Sequence, residues 1–235
     1  MGAKAGAVRV VISPILLFGS STLGMFTQAS DRFFVLPRAT PTKLVRRLQE
    51  VFSVPCVKYS VAGSRLVGAF TACNSKGLLL PDHVTSEEVA SIEEQLDGLG
   101  LGNVDVTTVD VLDNALGNLV LVNDHGCVLS PKLAGHEAEV AEALGVDVRV
   151  VEFAGTDLVG SAGLVNNLGG CVHPLATDGE IKLLEDALGV PLDVSSVNCG
   201  VPFVGACSAA NAHGAVVGPE TTGPELQRIS EMLQV

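Results

Sequence analysis

The chain has 235 residues, a formal net charge of −12 and 47% hydrophobic residues, but only 4% aromatic residues and no Trp. This length is enough to bury a substantial core, in one domain or two. The acidic balance argues against a surface built for unaided phosphate binding, which usually carries a basic stripe. It fits basic protein partners or a plainly solvated exterior.

Cysteine usage and the N-terminal segment indicate a cytoplasmic protein. The six cysteines include no C-x-x-C pair and no spacing typical of small disulfide-bonded domains, which favours free thiols. The apolar residues 10–18 follow Lys4 and Arg9, as in a signal peptide, but Ser13 and Pro14 interrupt them and no small-residue cleavage site follows. No apolar run is long enough to cross a membrane.

The chain contains five copies of one pattern, and this period predicts a repeat architecture. Each copy begins with an apolar segment that contains a glycine, at Gly24, Gly68, Gly117, Gly160 and Gly205. In the last four copies an asparagine follows six residues later, and a second glycine three residues after that. These are Asn74, Asn123, Asn166 and Asn211, and Gly77, Gly126, Gly169 and Gly214. The first copy has Ser30 and Phe33 in their places.

Taken in chain order, the first predicted element is a strand over residues 8–18. Each repeat then predicts a β-hairpin, a helix and a further strand. In the second repeat the hairpin strands are predicted at 66–73 and 78–80, joined by a type I turn that begins at Asn74 and closes with a left-handed Gly77. The further strands are predicted at residues 57–61, 104–111, 146–153 and 192–197.

Helix starts are marked by capping boxes, in which a threonine precedes a glutamate by three positions. They lie at Thr85, Thr177 and Thr222. The first helix is predicted over residues 42–52, and the third begins near residue 134 without a cap. Gly145 and Gly189 are predicted to end the third and fourth helices. Residues 97–102 predict a glycine-rich surface loop, because they lack the Lys-Ser/Thr ending of a phosphate-binding loop.

The fold class predicted from this pattern is α/β. The fifth repeat lacks a final strand, and the strand at residues 8–18 has no helix before it, so it can supply the missing piece. An open solenoid would need polar capping units at both ends. We therefore predict one domain that forms a closed five-bladed α/β propeller with five-fold pseudosymmetry, strands around the axis and helices outside. The repeats span approximately residues 19–55, 56–103, 104–145, 146–190 and 191–235.

Five-bladed α/β propellers also include guanidine-modifying enzymes with a Cys nucleophile and a His. The sequence offers Cys199 or Cys207 for the first role and His173 or His125 for the second. Cys207 lies in an apolar segment predicted to be a buried strand, which would raise the pKa of its thiol. No repeat inserts a lid, and no histidines have metal-binding spacing. The residues favour a binding protein without cofactor or metal, with such an enzyme as the alternative.

Several segments resemble the translation initiation factor 6 family, a family of ribosome anti-association factors. They are V-A-G-S-R-L-V-G at 61–68, G-L-L-L-P at 77–81, N-A-L-G-N at 114–118, G-A-V-V-G at 214–218 and T-T-G-P-E-L at 221–226. The likeness runs from about Gly24 to the C-terminus. It is with the archaeal form, because the chain ends with the fifth repeat and has no eukaryotic-type regulatory tail.

The resemblance implies the pentein fold and binding to the large ribosomal subunit on its subunit-joining face. The contacts would lie near the sarcin–ricin loop and neighbouring ribosomal proteins, with no membrane or DNA partner. A rigid acidic disc at that place would block the small subunit sterically, without turnover or cofactor. A monomer with roles in large-subunit maturation and translation initiation is the expected biological form.

The resemblance also implies a binding surface at one end of the propeller, around the predicted strand starts. By position it points to Arg65 and Asn118, with the surrounding backbone held by Gly24, Gly68, Gly117 and Gly160. Arg65 can make a bidentate contact with phosphate or carboxylate, or an ion pair within the protein. Asn118 stands where other repeats have alanine or serine, so its amide serves either a partner or a local turn hydrogen bond. We expect Arg65→Ala and Asn118→Ser to weaken subunit binding without changing thermal stability.

Overall fold

The structure, a computed structural model, describes residues 11–235 and places 14 strands of that range in five small sheets. Four sheets are an antiparallel hairpin extended by a parallel strand. Their strands are Ala72–Cys73, Gly77–Pro81 and Asp105–Val109; Val120–Val122, Gly126–Leu129 and Asp147–Val150; Gly163–Val165, Gly170–Val172 and Leu192–Val194; and Ser208–Asn211, Gly214–Val217 and Val11–Pro14. The fold is therefore mixed α/β, as predicted.

The remaining sheet has two strands in the described part of the chain, Phe34–Pro37 and Cys56–Tyr59, which pair in parallel. Only an isolated bridge from Ala29 to Phe34 marks the place of its hairpin. This is the repeat in which the asparagine and glycine of the turn are missing. At the N-terminus, Val11–Pro14 pairs with Gly214–Val217, which confirms that part of the strand predicted over residues 8–18. Residues 15–18 form no strand, because the chain turns there toward the first short helix, and residues 8–10 lie outside the described residues.

Five long helices follow the hairpins. They are Thr42–Phe52, Ser86–Gly98, Glu137–Leu144, Asp178–Leu188 and Gly223–Leu233. Thr85 and Thr177 form the predicted capping boxes, and the third long helix starts without a side-chain cap after a 3-10 turn. Gly145 and Gly189 end their helices in the left-handed conformation, with φ of 60° and 66°.

Each long helix packs against the sheet of the repeat before it. In the fourth repeat, buried Leu184 and Leu188 lie in one apolar cluster with Leu121 and Val128 of the third. The first long helix does the same with the last sheet, since Phe52 shares a cluster with Val216. A fully buried side chain of this size contributes roughly 1.5–3 kcal/mol. The helices therefore tie neighbouring repeats together, and the last repeat to the first.

Each predicted hairpin begins with a short helix, so the strand predicted over residues 66–73 was wrong over most of its length. These short helices are Leu23–Met25, Val67–Phe70, Leu116–Leu119, Val159–Ala162 and Val204–Cys207. Only Ala72–Cys73 is strand in the second repeat. The apolar run has no local feature that separates helix from strand, and the packing of short helix on short helix decides between them.

The repeated glycines allow the short helices to touch. A Cβ on Gly117 would lie 1.9 Å from the carbonyl oxygen of Gly68, and one on Gly68 would lie 2.2 Å from that of Gly24. Gly24 stands in the same relation to Gly205, at 1.9 Å. Gly205 meets Gly160 at 2.1 Å, and Gly160 meets Gly117 at 2.3 Å. The contacts therefore pass through all five short helices and return to the first.

The second glycine of each repeat has a different role from the one predicted. Gly77 and Gly126 do not have a positive φ, so the left-handed closure of the turn was wrong. A Cβ on Gly77 would instead lie 2.0 Å from the carbonyl oxygen of Ala143, and one on Gly126 would lie 1.8 Å from that of Ala187. Glycine is needed because the end of the long helix in the following repeat approaches the turn this closely.

The repeated asparagines hold this approach in place. Asn123 Oδ1 accepts bonds from two backbone N–H groups of its own turn, and its Nδ2 donates to the oxygens of Asn166, 3.1 Å, and Leu188, 2.9 Å. Asn74, Asn166 and Asn211 make the same set of bonds. Ser30 has no amide to donate, and Arg32 instead donates to the oxygen of Ser75 at 3.0 Å. We call this end of the molecule the asparagine end.

Candidate functional site

The opposite end of the molecule carries five turn segments, each leading from the carboxyl end of a parallel strand into a short helix. They cover residues 17–20, 61–64, 111–114, 153–156 and 197–201. We call these segments, together with the short helices, the turn face. The turn face is where the resemblance placed a binding surface, although the elements that follow the turns are helices rather than strands.

Glutamates of the capping boxes hold three of the five turns. Glu88 caps its own helix through Thr85 and also accepts bonds from Ser60 Oγ, 2.8 Å, Ala62 N, 2.9 Å, and Gly63 N, 3.1 Å. Ala62 has a φ of 48°, a left-handed conformation that is costly for alanine. Burial opposes ionisation of Glu88, but these hydrogen bonds outweigh it and lower its pKa. A charged Glu88 therefore fixes the turn that precedes Arg65.

Glu225 holds the fifth turn in the same way. Its carboxylate accepts bonds from Ser196 Oγ at 2.7 Å, Cys199 N at 3.1 Å and Gly200 N at 2.9 Å, besides two from Thr222. Burial raises the pKa of this carboxyl, but the hydrogen bonds exceed that effect and bring it to about 2. Glu180 accepts one such bond, from Ala154 N at 3.0 Å, in the fourth turn.

The third turn, residues 111–114, has no such glutamate, because the third long helix lacks a capping box. Its tip carries Leu112, which is fully exposed to solvent, with a relative exposure of 104%. It is the most exposed large apolar side chain in residues 11–235. Sequence reasoning missed Leu112, although the missing capping box distinguishes this turn from the second, fourth and fifth.

Arg65 follows the second turn and is exposed. Its guanidinium lies over the ring of Phe18 in the first turn, 5.3 Å from the centroid, a cation–π contact that joins two repeats. It forms no ion pair with a carboxylate of the described residues. The donors of Arg65 thus remain available at the surface.

Asn118 lies half-buried in the third short helix. Its Oδ1 accepts a bond from Ser161 Oγ at 2.9 Å, so the side chain links the third and fourth repeats instead of forming a local turn bond. Within the part of the chain that the structure describes, its Nδ2 has no acceptor. The glycines named with it lie in contact with one another beneath the turns, while Arg65 and Asn118 stand on two neighbouring repeats.

In residues 11–235 no hydrogen bond joins Cys199 or Cys207 to His173 or His125, the residues considered for cysteine chemistry. Cys207 ends a short helix, not the predicted strand, and its burial raises the pKa of its thiol, partly offset by Asn198. His173 is buried, which lowers its pKa, and it packs edge-on against Phe203. Both shifts disfavour a thiolate–imidazolium pair. Cys199 lies on the turn face, whereas His125 lies in a turn of the asparagine end.

Residues 11–235 contain neither a metal-binding cluster nor a membrane-spanning helix. No group of three or more His, Cys, Asp or Glu side chains is arranged to hold a metal ion in that range. None of the helices described there combines the length and the apolar character that crossing a bilayer requires.

Comparison with known proteins gives one consistent result. Residues 12–232 match the family model described as the eIF-6 family. The chain is 40% identical to translation initiation factor 6 of Pyrococcus horikoshii, over 91% of this chain and 94% of the relative. It is 39% identical to that of Thermococcus onnurineus, over the same shares. With that of Methanocaldococcus jannaschii it shares 36% identity, over 92% of this chain and 94% of the relative.

Proposed function

This chain belongs to the eIF-6 family, and we propose that it acts in translation initiation by binding the joining face of the large ribosomal subunit. Bound there, it blocks the small subunit sterically. We propose the same activity in large-subunit maturation, carried out by a cytoplasmic monomer. This action needs no chemical reaction and no cofactor. It needs only a surface complementary to the subunit and a rigid fold.

The proposed architecture is a closed five-bladed α/β propeller, the pentein fold, formed by a single domain of five repeats. Two observations support it. The glycine contacts between short helices return from the fifth repeat to the first, and the N-terminal strand completes the last sheet. A closed arrangement leaves few ways for the repeats to shift relative to one another, which suits a steric block.

The observation that carries the proposed binding mode is the difference in how the two ends use their polar groups. At the asparagine end the amides are buried and bonded within the protein. On the turn face Arg65 and the Nδ2 of Asn118 keep unused donors, and Leu112 is fully exposed. The glutamates hold much of this face in shape before binding, which reduces the entropic cost of association.

Sedimentation tests the proposal directly. Purified large and small subunits are mixed with and without the protein, at magnesium levels that favour joining. We expect the protein to sediment with the large subunit and the joined peak to fall. If the protein stays at the top of the gradient at every magnesium level, the proposed function is wrong.

Two pairs of variants test the residues. Arg65→Ala should weaken binding, whereas Arg65→Lys, which keeps the charge over Phe18, should weaken it less. Asn118→Ser and Ser161→Ala both remove the bond between the repeats, so each should cost about 0.5–1.5 kcal/mol of stability. This bond replaces the expectation that Asn118→Ser leaves thermal stability unchanged. Only Asn118→Ser should reduce subunit binding. Equal binding by the two variants would show that Asn118 serves the scaffold alone.

A further inference from the structure

The positive charge of this protein is concentrated in one part of the chain. Residues 32–65 contain seven of the 14 Lys and Arg residues and one of the 26 Asp and Glu residues, a net charge of +6. The rest of the chain therefore carries −18. The overall acidity hides this sector, because no two of its cations except Arg46 and Arg47 are adjacent in sequence.

Four of these cations line the first long helix and the residues before it. Arg38, Lys43, Arg46 and Arg47 are all exposed, and we call them the basic stripe. None of them forms an ion pair with a carboxylate of the described residues. Arg47 is anchored, since it donates to the oxygen of Pro14 at 3.1 Å. Lys43 is one helical turn from Arg46 and Arg47, so their side chains share a face.

The basic stripe begins at the turn face. Arg38 directly follows the strand Phe34–Pro37, and its N–H donates to the oxygen of Tyr59 at 2.7 Å. Tyr59 ends the strand that leads into residues 61–64, the turn before Arg65. From there the first long helix runs away from the turn face at about 1.5 Å per residue. Arg38 and Arg65 thus lie on adjoining segments at the turn face, and the rest of the basic stripe follows the helix away from it.

We propose that the basic stripe binds the phosphate backbone of ribosomal RNA at the rim of the site that the turn face covers. This inference rests on the proposed function. It explains how a protein of charge −12 approaches a particle coated with phosphate, because the +6 sector turns toward the RNA and the acidic remainder turns away. Arg is suited to bidentate phosphate contacts and Lys to point-charge contacts.

RNA is favoured over an acidic protein partner by what accompanies the cations. Large apolar side chains are exposed at several places in the described chain, but none of them lies within residues 38–53. A protein interface usually has an apolar core with aromatic residues, whereas phosphate contacts need only cations and polar neighbours. The exposed neighbours here, such as Thr42 and Gln49, are polar.

The test compares two double variants that change the net charge equally. Lys43→Gln with Arg46→Gln removes two cations of the basic stripe, and Arg149→Gln with Lys182→Gln removes two exposed cations from other repeats. Affinity for purified large subunits is measured as a function of monovalent salt. Each lost phosphate contact should lower the slope of log affinity against log salt by about 0.7–0.9, so the stripe variant should lose about 1.5. The control should keep the wild-type slope.

Each outcome decides a separate point. If both double variants share the wild-type slope while all three proteins bind, the basic stripe is not an RNA contact and the proposed function stands. If the wild type does not bind subunits, the proposed function fails, and filter binding to protein-free large-subunit RNA then tests the stripe alone. There, a weaker signal for the stripe variant than for the control supports the RNA contact, and equal signals overturn it.

Sedimentation of the protein alone tests whether the basic stripe instead binds a second copy of this protein. The basic stripe of one molecule and the acidic surface of another also attract each other. Salt-sensitive oligomers formed by the wild type and not by the stripe variant, together with equal RNA binding by both, would overturn the proposal in favour of self-association. Thermal melting of all variants confirms that each is folded.

Discussion

The two ends of this molecule are built from the same five repeats, but the asparagine end repeats its key residue and the turn face does not. At the asparagine end four repeats place the same asparagine in the same bonds, and its amide is buried. On the turn face the turns differ in length, in the glutamate that holds them and in the side chain at the tip. Repetition therefore marks groups that join repeats, whereas the exposed groups Arg65 and Leu112 stand at positions where the repeats differ.

The largest effect is expected where the short helices touch. Gly117→Ala would place a methyl group 1.9 Å from a backbone oxygen that cannot move alone, so we expect a loss of at least about 4 kcal/mol of stability, or no folded protein. The control is Gly179→Ala, which meets open space in the fourth long helix and should be neutral or stabilise by up to about 1 kcal/mol. Urea unfolding measures both. Similar midpoints for the two variants would contradict the glycine contact.

Removing one amide at the asparagine end should have the next largest effect. Asn123→Ala leaves the buried oxygens of Asn166 and Leu188 without that donor, at a cost of about 2–3 kcal/mol. Asn114→Ala, at an exposed position on the turn face, should change stability by less than about 0.5 kcal/mol. Comparing their unfolding curves sharpens the contrast between the ends, and equal losses would remove it.

The contribution of Glu225 should depend on pH. Its folded pKa of about 2 lies below the ordinary value of 4.5, so its stabilisation is fully present above pH 4.5 and disappears as the pH falls through about 2. Wild type should be more stable than Glu225→Gln at pH 7, and the two should converge between pH 4.5 and pH 2. Unfolding at a series of pH values measures this. A difference that stays constant to the lowest pH would show that charge is not what holds the fifth turn.

The smallest effect on stability is expected at Leu112. Because its side chain makes no packed contact, Leu112→Ser should change the free energy of unfolding by less than about 0.5 kcal/mol. It should still weaken large-subunit binding, by about five- to tenfold for one lost apolar contact. Leu99→Ser, 43% exposed at the far end of the second long helix, is the matched control and should bind normally. Normal binding by both variants would place Leu112 outside the interface.

Local rules were enough for the long helices and for the parallel strands that follow them. Thr42–Phe52 matches its predicted bounds, and the glycines that end the third and fourth long helices do so as expected. These elements follow from capping and periodicity, which act over a few residues. The N-terminal strand was predicted because the fifth repeat lacks a final strand of its own.

Long-range contacts account for what the sequence did not show. Nothing near residues 66–70 separates a short helix from a strand, since the decisive neighbour of Gly68 is Gly24 in another repeat. Gly77 was predicted to be left-handed because turns often need that conformation, but its partner is a helix end 66 residues away, at Ala143. The basic stripe was hidden by a net charge that averages over all repeats.

The pairing of Val11–Pro14 with Gly214–Val217 also sets an order for synthesis. The strand that leaves the ribosome first receives its partner almost last, across roughly 200 residues of intervening chain, and such distant pairings form slowly. Until then Val11–Pro14 keeps unpaired edges that can recruit other chains. A nascent chain that stops before the fifth repeat is therefore the form of this protein most exposed to aggregation.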